Sequence, residues 1–353
     1  MFFDLNVPVY HPVQASSSSK KNKGKQPQTA VDVVYTPTQI AAVEARVDLL
    51  VHLGYTVIAF NQTVNSTVNP KAHTNTLDPL LAHLKPRPGI VFLKRLTIVL
   101  DAESEKGPGA GLTLPNAQTF KPYDLLAVMP TSQTTFSLAC LTHSVPSAVT
   151  AHIIALPLTL KLDFRLRHSL VRTAIKNGAV FELSYVGALG GEHDAVLVDV
   201  GAAESGASAK RNWWAIGKEI VRVTKGKGLM VSGGVVAQAD LRAPKDVANL
   251  ISLLGVAQDV AQAASTKVTK SLVLRAQTRQ TYRAVFSEPV LVVPSGSVPE
   301  QTPAPTTETK KRPRDDEETE VSKPPPATPN GATEGSGRKK KKRKKGNGEV
   351  NGQ

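Results

Sequence analysis

Seven short apolar runs, separated by stretches of helical periodicity, constrain this 353-residue chain more than any other feature of its sequence. The runs are Phe2–Val7, Tyr55–Phe60, Ile90–Leu100, Leu125–Met129, His152–Leu156, Ala179–Tyr185 and Gly228–Ser232. Runs this apolar or β-branched suit strands of a parallel sheet covered on both faces. Between them, Thr38–Leu53 places Ile40, Val43, Val47, Leu50 and Val51 at helical spacing, and Gly54 is a natural stop. Arg167–Asn177 gathers Leu170, Val171 and Ile175 on one face before Gly178, and Asn212–Thr224 follows the same plan. In Pro244–Leu254 the proline suits a first helical turn and Gly255 closes the helix. Strands alternating with helices predict an α/β architecture around a parallel sheet. A doubly wound sheet and a (β/α) barrel both satisfy this pattern, and a body of roughly 250 residues matches a barrel's usual size.

The intervening segments differ sharply in composition. Residues 14–29 carry no apolar side chain beyond Ala15, too little to offset the entropy of ordering. Residues 103–118 include Gly107-Pro108-Gly109-Ala110-Gly111 and read as an exposed loop. From Pro294 the chain turns to Pro, Ser, Thr, Lys and Glu, which predicts a disordered tail over 294–353 behind a single domain, 1–293.

The net charge of +14 is unevenly spread. Residues 301–353 hold 13 Lys/Arg against 8 Asp/Glu, and residues 16–29 hold four Lys and no acid. Residues 30–300 hold 26 against 20, so the body's excess is only +6. The question is where on the body that excess lies. No apolar run reaches the length of a membrane span, and Met1-Phe2-Phe3-Asp4 does not read as a secretory signal. The single cysteine, Cys140, precludes an internal disulfide and predicts a reducing compartment, cytosol or nucleus.

Sites for small-molecule chemistry are sparse. The Gly107–Gly111 stretch lacks the third glycine of a dinucleotide fingerprint, which disfavours a nucleotide-binding oxidoreductase. The eight histidines are scattered with no His-x-His pair, so neither metal nor other cofactor is expected. Cys140 lies in the apolar-patterned Phe136–Leu141 and reads as a buried thiol. Asp4, Asp101 and Glu182 fall on or near predicted strands and could in principle chelate a divalent ion in a phosphoesterase. A structural role in strand-end loops is the more economical reading. The basic clusters say more. Lys310, Lys311, Arg312 and Arg314, and the run Arg338, Lys339, Lys340, Lys341, Lys342, Arg343, Lys344 and Lys345, read as nuclear import signals and as a nonspecific phosphate-binding tail. In the body, Lys94 and Arg95 share a strand, and Arg275, Arg279 and Arg283 recur every four residues beyond Lys267 and Lys270, so a helix there would align them.

Several stretches resemble one family. They are Phe3-Asp4-Leu5, Leu53-Gly54-Tyr55-Thr56-Val57-Ile58-Ala59-Phe60-Asn61, Arg95-Leu96-Thr97-Ile98, Tyr123-Asp124-Leu125-Leu126-Ala127-Val128 and Gly178-Ala179-Val180-Phe181-Glu182-Leu183-Ser184-Tyr185. The most specific is Leu241-Arg242-Ala243-Pro244-Lys245-Asp246-Val247-Ala248-Asn249-Leu250, followed by Leu254-Gly255. Gly226-Lys227-Gly228, Ser232 and Thr278-Arg279 also fit. In this order they resemble the thirty-kilodalton protein subunit of nuclear and archaeal RNase P, shared in eukaryotes with RNase MRP. Segments 14–29, 103–118 and 189–208 then stand out as inserts relative to compact relatives.

The resemblance implies a TIM-like (β/α) barrel of about seven parallel strands, related to the polymerase-and-histidinol-phosphatase metal hydrolases. In those enzymes the first strand ends in Asp-Leu-His-x-His. Here the run is Asp4-Leu5-Asn6-Val7-Pro8, so both histidine ligands are replaced and the metal chemistry should be absent. It further implies a noncatalytic subunit of a nuclear, nucleolar ribonucleoprotein whose RNA removes the 5′ leader of precursor tRNA. Implied partners are the RNase P and RNase MRP RNAs, precursor tRNA indirectly, and a small subunit of ferredoxin-like fold; no membrane is involved. On this basis Arg95, Arg242 and Arg279, in matching motifs, are candidate RNA contacts, and Lys94, Lys270 and Arg275 join them on charge.

Overall fold

Each of the seven apolar runs forms a strand: β1 (Phe3–Pro8), β2 (Val57–Asn65), β3 (Val91–Leu100), β4 (Leu125–Pro130), β5 (Ile153–Ala155), β6 (Val180–Ser184) and β7 (Leu229–Ser232). In this computed structural model they pair in parallel and in chain order into one sheet that curls into a nearly closed barrel. The structure describes residues 1–9, 13–14, 33–106, 109–190 and 206–280. The chain divides into units Met1–Val290 and Leu291–Gln353, and every described residue belongs to the first. The tail with its two basic clusters, nearly all of 14–29 and most of 189–208 lie outside the described residues. Gln14 is an exception to the expected loop, because Val13–Gln14 pairs antiparallel with Val33–Val34.

The doubly apolar character of the runs follows from two cores. Inward-facing Phe3, Leu5, Val57, Ala59, Leu93, Leu125, Ala127, Ile153, Val180 and Met230 fill the barrel. Outward-facing Ile58, Phe60, Leu96, Ile98, Leu126, Val128, Ile154, Phe181 and Val231 join the helical layer. Around the barrel run α1 (Pro37–His52), α2 (His168–Lys176), α3 (Gly206–Thr224), α4 (Pro244–Ser252), α5 (Gln258–Ala264) and α6 (Lys267–Gln280). The start of α1 is set by a reciprocal cap: Gln39 N–H donates to Thr36 Oγ1, and Thr36 N–H donates to Gln39 Oε1. Leu272 and Ala276 of α6 enter the inner core among residues from the strand beginnings, so α6 stoppers the amino-terminal mouth of the barrel.

The ladder does not run between β1 and β7. That seam is clasped by Gly233 N–H donating to Asp4 Oδ1 (2.9 Å) and Gly234 N–H donating to the Asn6 carbonyl (2.9 Å). A Cβ on residue 233 would stand 2.6 Å from Asp4 Oδ2, which explains the glycine.

The segment expected to be an exposed loop, 103–118, is largely built into the fold. A short helix (Ala102–Lys106) and 3-10 turns at Gly109–Gly111 and Leu114–Asn116 occupy it, with residues 107–108 outside the described set. Ala110, Gly111 and Leu112 are buried. Val68 N–H donates to the Ala110 carbonyl, and Gly111, at φ +84°, leaves no room for a Cβ, which would lie 2.4 Å from the Val68 carbonyl oxygen. Close backbone approach, rather than flexibility, accounts for that glycine. Cys140 is buried as expected, in a π-helical turn (Ala139–His143), and burial pushes its thiol up to about 12.

Candidate functional site

The interior of the barrel is apolar at its amino-terminal end and polar across its middle. Arg95 points inward from β3 with no exposed surface, and Glu182 meets it from β6. Arg95 Nη1 and Nη2 donate to Glu182 Oε1 (2.7 Å) and Oε2 (2.5 Å), a bidentate pair. Nη1 also donates to the Leu5 carbonyl (2.9 Å) and Nε to Thr97 Oγ1 (3.0 Å). Ser232 Oγ donates to Glu182 Oε1 (2.5 Å). The chain of bonds continues from Thr97 Oγ1 to Asn61 Oδ1 (2.7 Å) and from Asn61 Nδ2 to Asn6 Oδ1 (2.9 Å). One network therefore ties together β1, β2, β3, β6 and β7. A buried pair repays its desolvation only when its remaining donors and acceptors are met, as they largely are here.

Arg95 is therefore a correction to the expected RNA contacts: its guanidinium is sealed inside the barrel and its donors are engaged. The sequence placed it in a matching motif but could not reveal a partner 87 residues away.

The same geometry bears on the metal site whose loss the sequence of β1 predicts. Between Asp4 and Val7, β1 advances three residues while β2 advances two, from Ile58 to Phe60. This bulge turns Val7 to the outer core and leaves Asn6 bonded inside. Asn6 is held by Asn61, and the Pro8 carbonyl accepts from the buried Arg46 Nη1 (2.6 Å). Asp4 Oδ1 accepts from the N–H groups of Asn6 (3.1 Å) and Gly233 (2.9 Å), while Oδ2 is buried with no partner. Complete burial pushes the Asp4 carboxyl up to about 6 against those two hydrogen bonds; Glu182 adds to the rise and Arg95 opposes it. Asp101 stands apart at the end of β3, accepting from Ser66 Oγ (2.5 Å) and Ser104 N–H (3.0 Å). Despite partial burial, these bonds hold its carboxyl below the usual range. Asp4, Asp101 and Glu182 thus do three separate structural jobs, and no group of three His, Cys, Asp or Glu among the described residues could hold a metal. With Glu182 chelating a guanidinium, the residues present do not fit a divalent ion.

The other expected RNA contacts fare differently. Lys94 is half-buried, its Nζ 2.9 Å from Asp78 Oδ1. Arg242 Nη1 donates to the carbonyls of Ala239 (2.7 Å) and Leu241 (2.9 Å). Its backbone is gripped as well, by N–H to Tyr185 Oη (3.2 Å) and from Tyr55 Oη to its carbonyl (3.1 Å). Arg242 holds the loop that leads into α4. Arg275 Nη1 donates to the Gly178 carbonyl (2.6 Å), fixing α6 to the turn before β6. Lys270 is exposed on α6; Arg279 lies in the same helix, with its side chain outside the described set. Exposed cations that periodicity did not single out, Arg165, Arg167 and Arg172, lie in and just before α2. No local pattern could have found them, because their neighbours in space come from α3.

The sequence profile of the family described as RNase P subunit p30 matches residues 1–281. The Arabidopsis thaliana protein GAMETOPHYTE DEFECTIVE 1 is 32% identical over 155 residues, 44% of this chain and 23% of that protein. The chain thus spans under a quarter of that relative's length. Ribonuclease P protein subunit p30 of Mus musculus is 26% identical over 257 residues, covering 71% of this chain and 86% of that protein. Among solved structures, a chain of archaeal ribonuclease P determined with mature tRNA superposes with a TM-score of 0.49 at 11% identity, over 72% of this chain and 96% of that one.

Proposed function

Because the chain belongs to the RNase P subunit p30 family, we propose that it is a noncatalytic RNA-binding subunit of RNase P. In this role it supports removal of the 5′ leader from precursor tRNA by the catalytic RNA, and ribosomal RNA processing in RNase MRP. The observation that carries the noncatalytic part is the Arg95–Glu182 pair: a satisfied guanidinium sits against the carboxylate that a metal would need. What remains for the chain is to bind and position RNA, which basic surfaces do by releasing counterions and by matching backbone shape. The partners are the RNase P and RNase MRP RNAs, other protein subunits including the small ferredoxin-like one, and precursor tRNA indirectly. The two basic clusters of the tail fit delivery to the nucleus and retention near the nucleolus.

The test is affinity purification of the tagged full chain followed by RNA sequencing. Enrichment of the RNase P and RNase MRP RNAs is the expected result, and their absence overturns the assignment. Elemental analysis of the same material checks the alternative phosphoesterase: a stoichiometric divalent metal, with hydrolysis lost on Asp4→Ala, would restore it.

A further inference from the structure

One flank of the barrel carries a large share of the described body's positive charge. A groove of about 620 Å³ runs between the segment after β5 and the outer face of α3, lined by Lys161, Arg165, Arg167, Glu219 and Arg222 among apolar residues. A second hollow of about 290 Å³ lies between α2 and the end of α3, lined by Arg172, Lys225 and Lys227; its His168 and Val223 directly follow Arg167 and Arg222 of the first. Together the two carry seven Lys/Arg and one carboxylate, Glu219, a net +6. The described residues between 33 and 280 hold 25 Lys/Arg against 13 Asp/Glu, so these two hollows carry half of that excess.

These cations are placed to meet an outside ligand. All seven are exposed. Only Arg222 has an ion-pair partner among the described residues, Glu219 one helical turn back. The turn that follows α3 is shaped to present its lysines. Lys225 sits at φ +53°, an uncommon conformation for a residue with a Cβ, and Gly226 and Gly228 are at +74° and +62°. A Cβ at 228 would crowd the Ile175 side chain at 3.0 Å, and the positive φ there favours glycine as well. From Asn212 to Lys225 the lip extends about 20 Å at the rise of an α-helix. The floor between the lips is part apolar, with Leu162, Phe164 and Ile216. A row of cations along a channel open to solvent, with a single carboxylate among them, fits a polyanion that presents regularly spaced charge, more than it fits a folded protein surface.

We propose that this groove seats the sugar–phosphate backbone of the RNA subunit, and that Arg165, Arg167, Arg172, Lys225 and Lys227 are its main phosphate contacts. The assignment rests on the ribonucleoprotein role stated above and names the surface that performs it. It places RNA along the flank of the barrel between α2 and α3, from the loop that leaves the carboxyl end of β5 to the turn that leads into β7.

The experiment measures binding of the full chain to RNase P RNA made by transcription, across a series of salt concentrations, against an unrelated structured RNA of equal length. In a five-site variant, Arg165→Gln, Arg167→Gln, Arg172→Gln, Lys225→Gln and Lys227→Gln, affinity for RNase P RNA should fall by about tenfold or more. The slope of log affinity against log salt should become shallower by about one for each phosphate-binding cation removed. The melting temperature should hold, because none of these side chains has a described intramolecular partner. Acetylation of lysines in the unaltered protein supplies a readout that needs no variant: RNase P RNA should protect Lys161, Lys225 and Lys227. Unchanged affinity with unprotected lysines, while the wild type still selects RNase P RNA, overturns the groove and leaves the ribonucleoprotein role standing. Loss of selectivity in the wild type overturns both. Protection by other protein subunits with no RNA present assigns the groove to a protein and overturns the proposal.

Discussion

Arg95 and Arg172 are the same residue type in opposite circumstances. Arg95 is enclosed in the barrel with a bidentate carboxylate, a carbonyl and a hydroxyl around it. Arg172 lies on the outside of α2 in a hollow whose other charged groups are Lys225 and Lys227. The difference teaches that a count of basic residues says little about binding until each charge is assigned to a partner. In the interior the charge is neutralised and specifies how strands meet. On the flank it is left open, and its repulsion is relieved only by a ligand of opposite sign.

That contrast can be broken deliberately, and the largest effect should come from inside. Arg95→Met alone strands Glu182 in the barrel and should destabilise by about 3–5 kcal/mol, enough to lower Tm by roughly 10 °C or more. Adding Glu182→Met should recover part of that loss in calorimetry; no recovery would mean that the pair is not coupled as described. The next effect is pH-dependent. Asp4 is pushed up to about 6 in the fold, above the 3.9 or so of an unfolded chain. Between about pH 4 and 6 the native state holds a proton that the unfolded state has released, so stability should fall as pH rises through that window. The burial penalty is then fully present above it, on the order of 2–3 kcal/mol. Asp4→Asn keeps an acceptor for the two backbone donors and should flatten that slope in denaturant titrations; an unaltered slope would assign the dependence elsewhere.

A smaller loss is expected at the barrel mouth. Arg275→Gln removes the bond to the Gly178 carbonyl and should cost about 1–2 kcal/mol, seen as a lower Tm and faster amide exchange in α6. Smallest of all, Arg172→Gln should leave Tm within the scatter of measurement. A loss comparable to that of Arg275→Gln would show that the flank is structural and erase the distinction between the two regions.

The strands were legible because a doubly covered parallel strand writes an apolar signature that needs no knowledge of its neighbours. Phe2–Val7 and Leu125–Met129 became Phe3–Pro8 and Leu125–Pro130. The starts and stops of helices were equally local: Gly54, Gly178 and Gly255 all follow helices and all have positive φ. The bulge in β1 and the enclosure of Arg95 were not legible, since both depend on partners far away in the chain. The Gly107–Gly111 stretch misled for a related reason, because a glycine needed for backbone contact looks the same in sequence as one in an open loop. The groove is not legible in sequence because its two lips, residues 161–172 and 212–227, are not periodic with each other.

The clasp between β1 and β7 has a consequence for how the molecule comes into being. Asp4 and Gly233 are 229 positions apart. While the chain emerges from the ribosome, β1 can pair on one side with β2 early, yet its other side must wait for almost the whole domain to be made. A strand edge bared for that interval invites pairing with other nascent chains. The first strand is short and bulged, and two of its six residues are the polar Asp4 and Asn6. The features that clasp the finished barrel are thus also those that make its first strand a poor template for aggregation during synthesis.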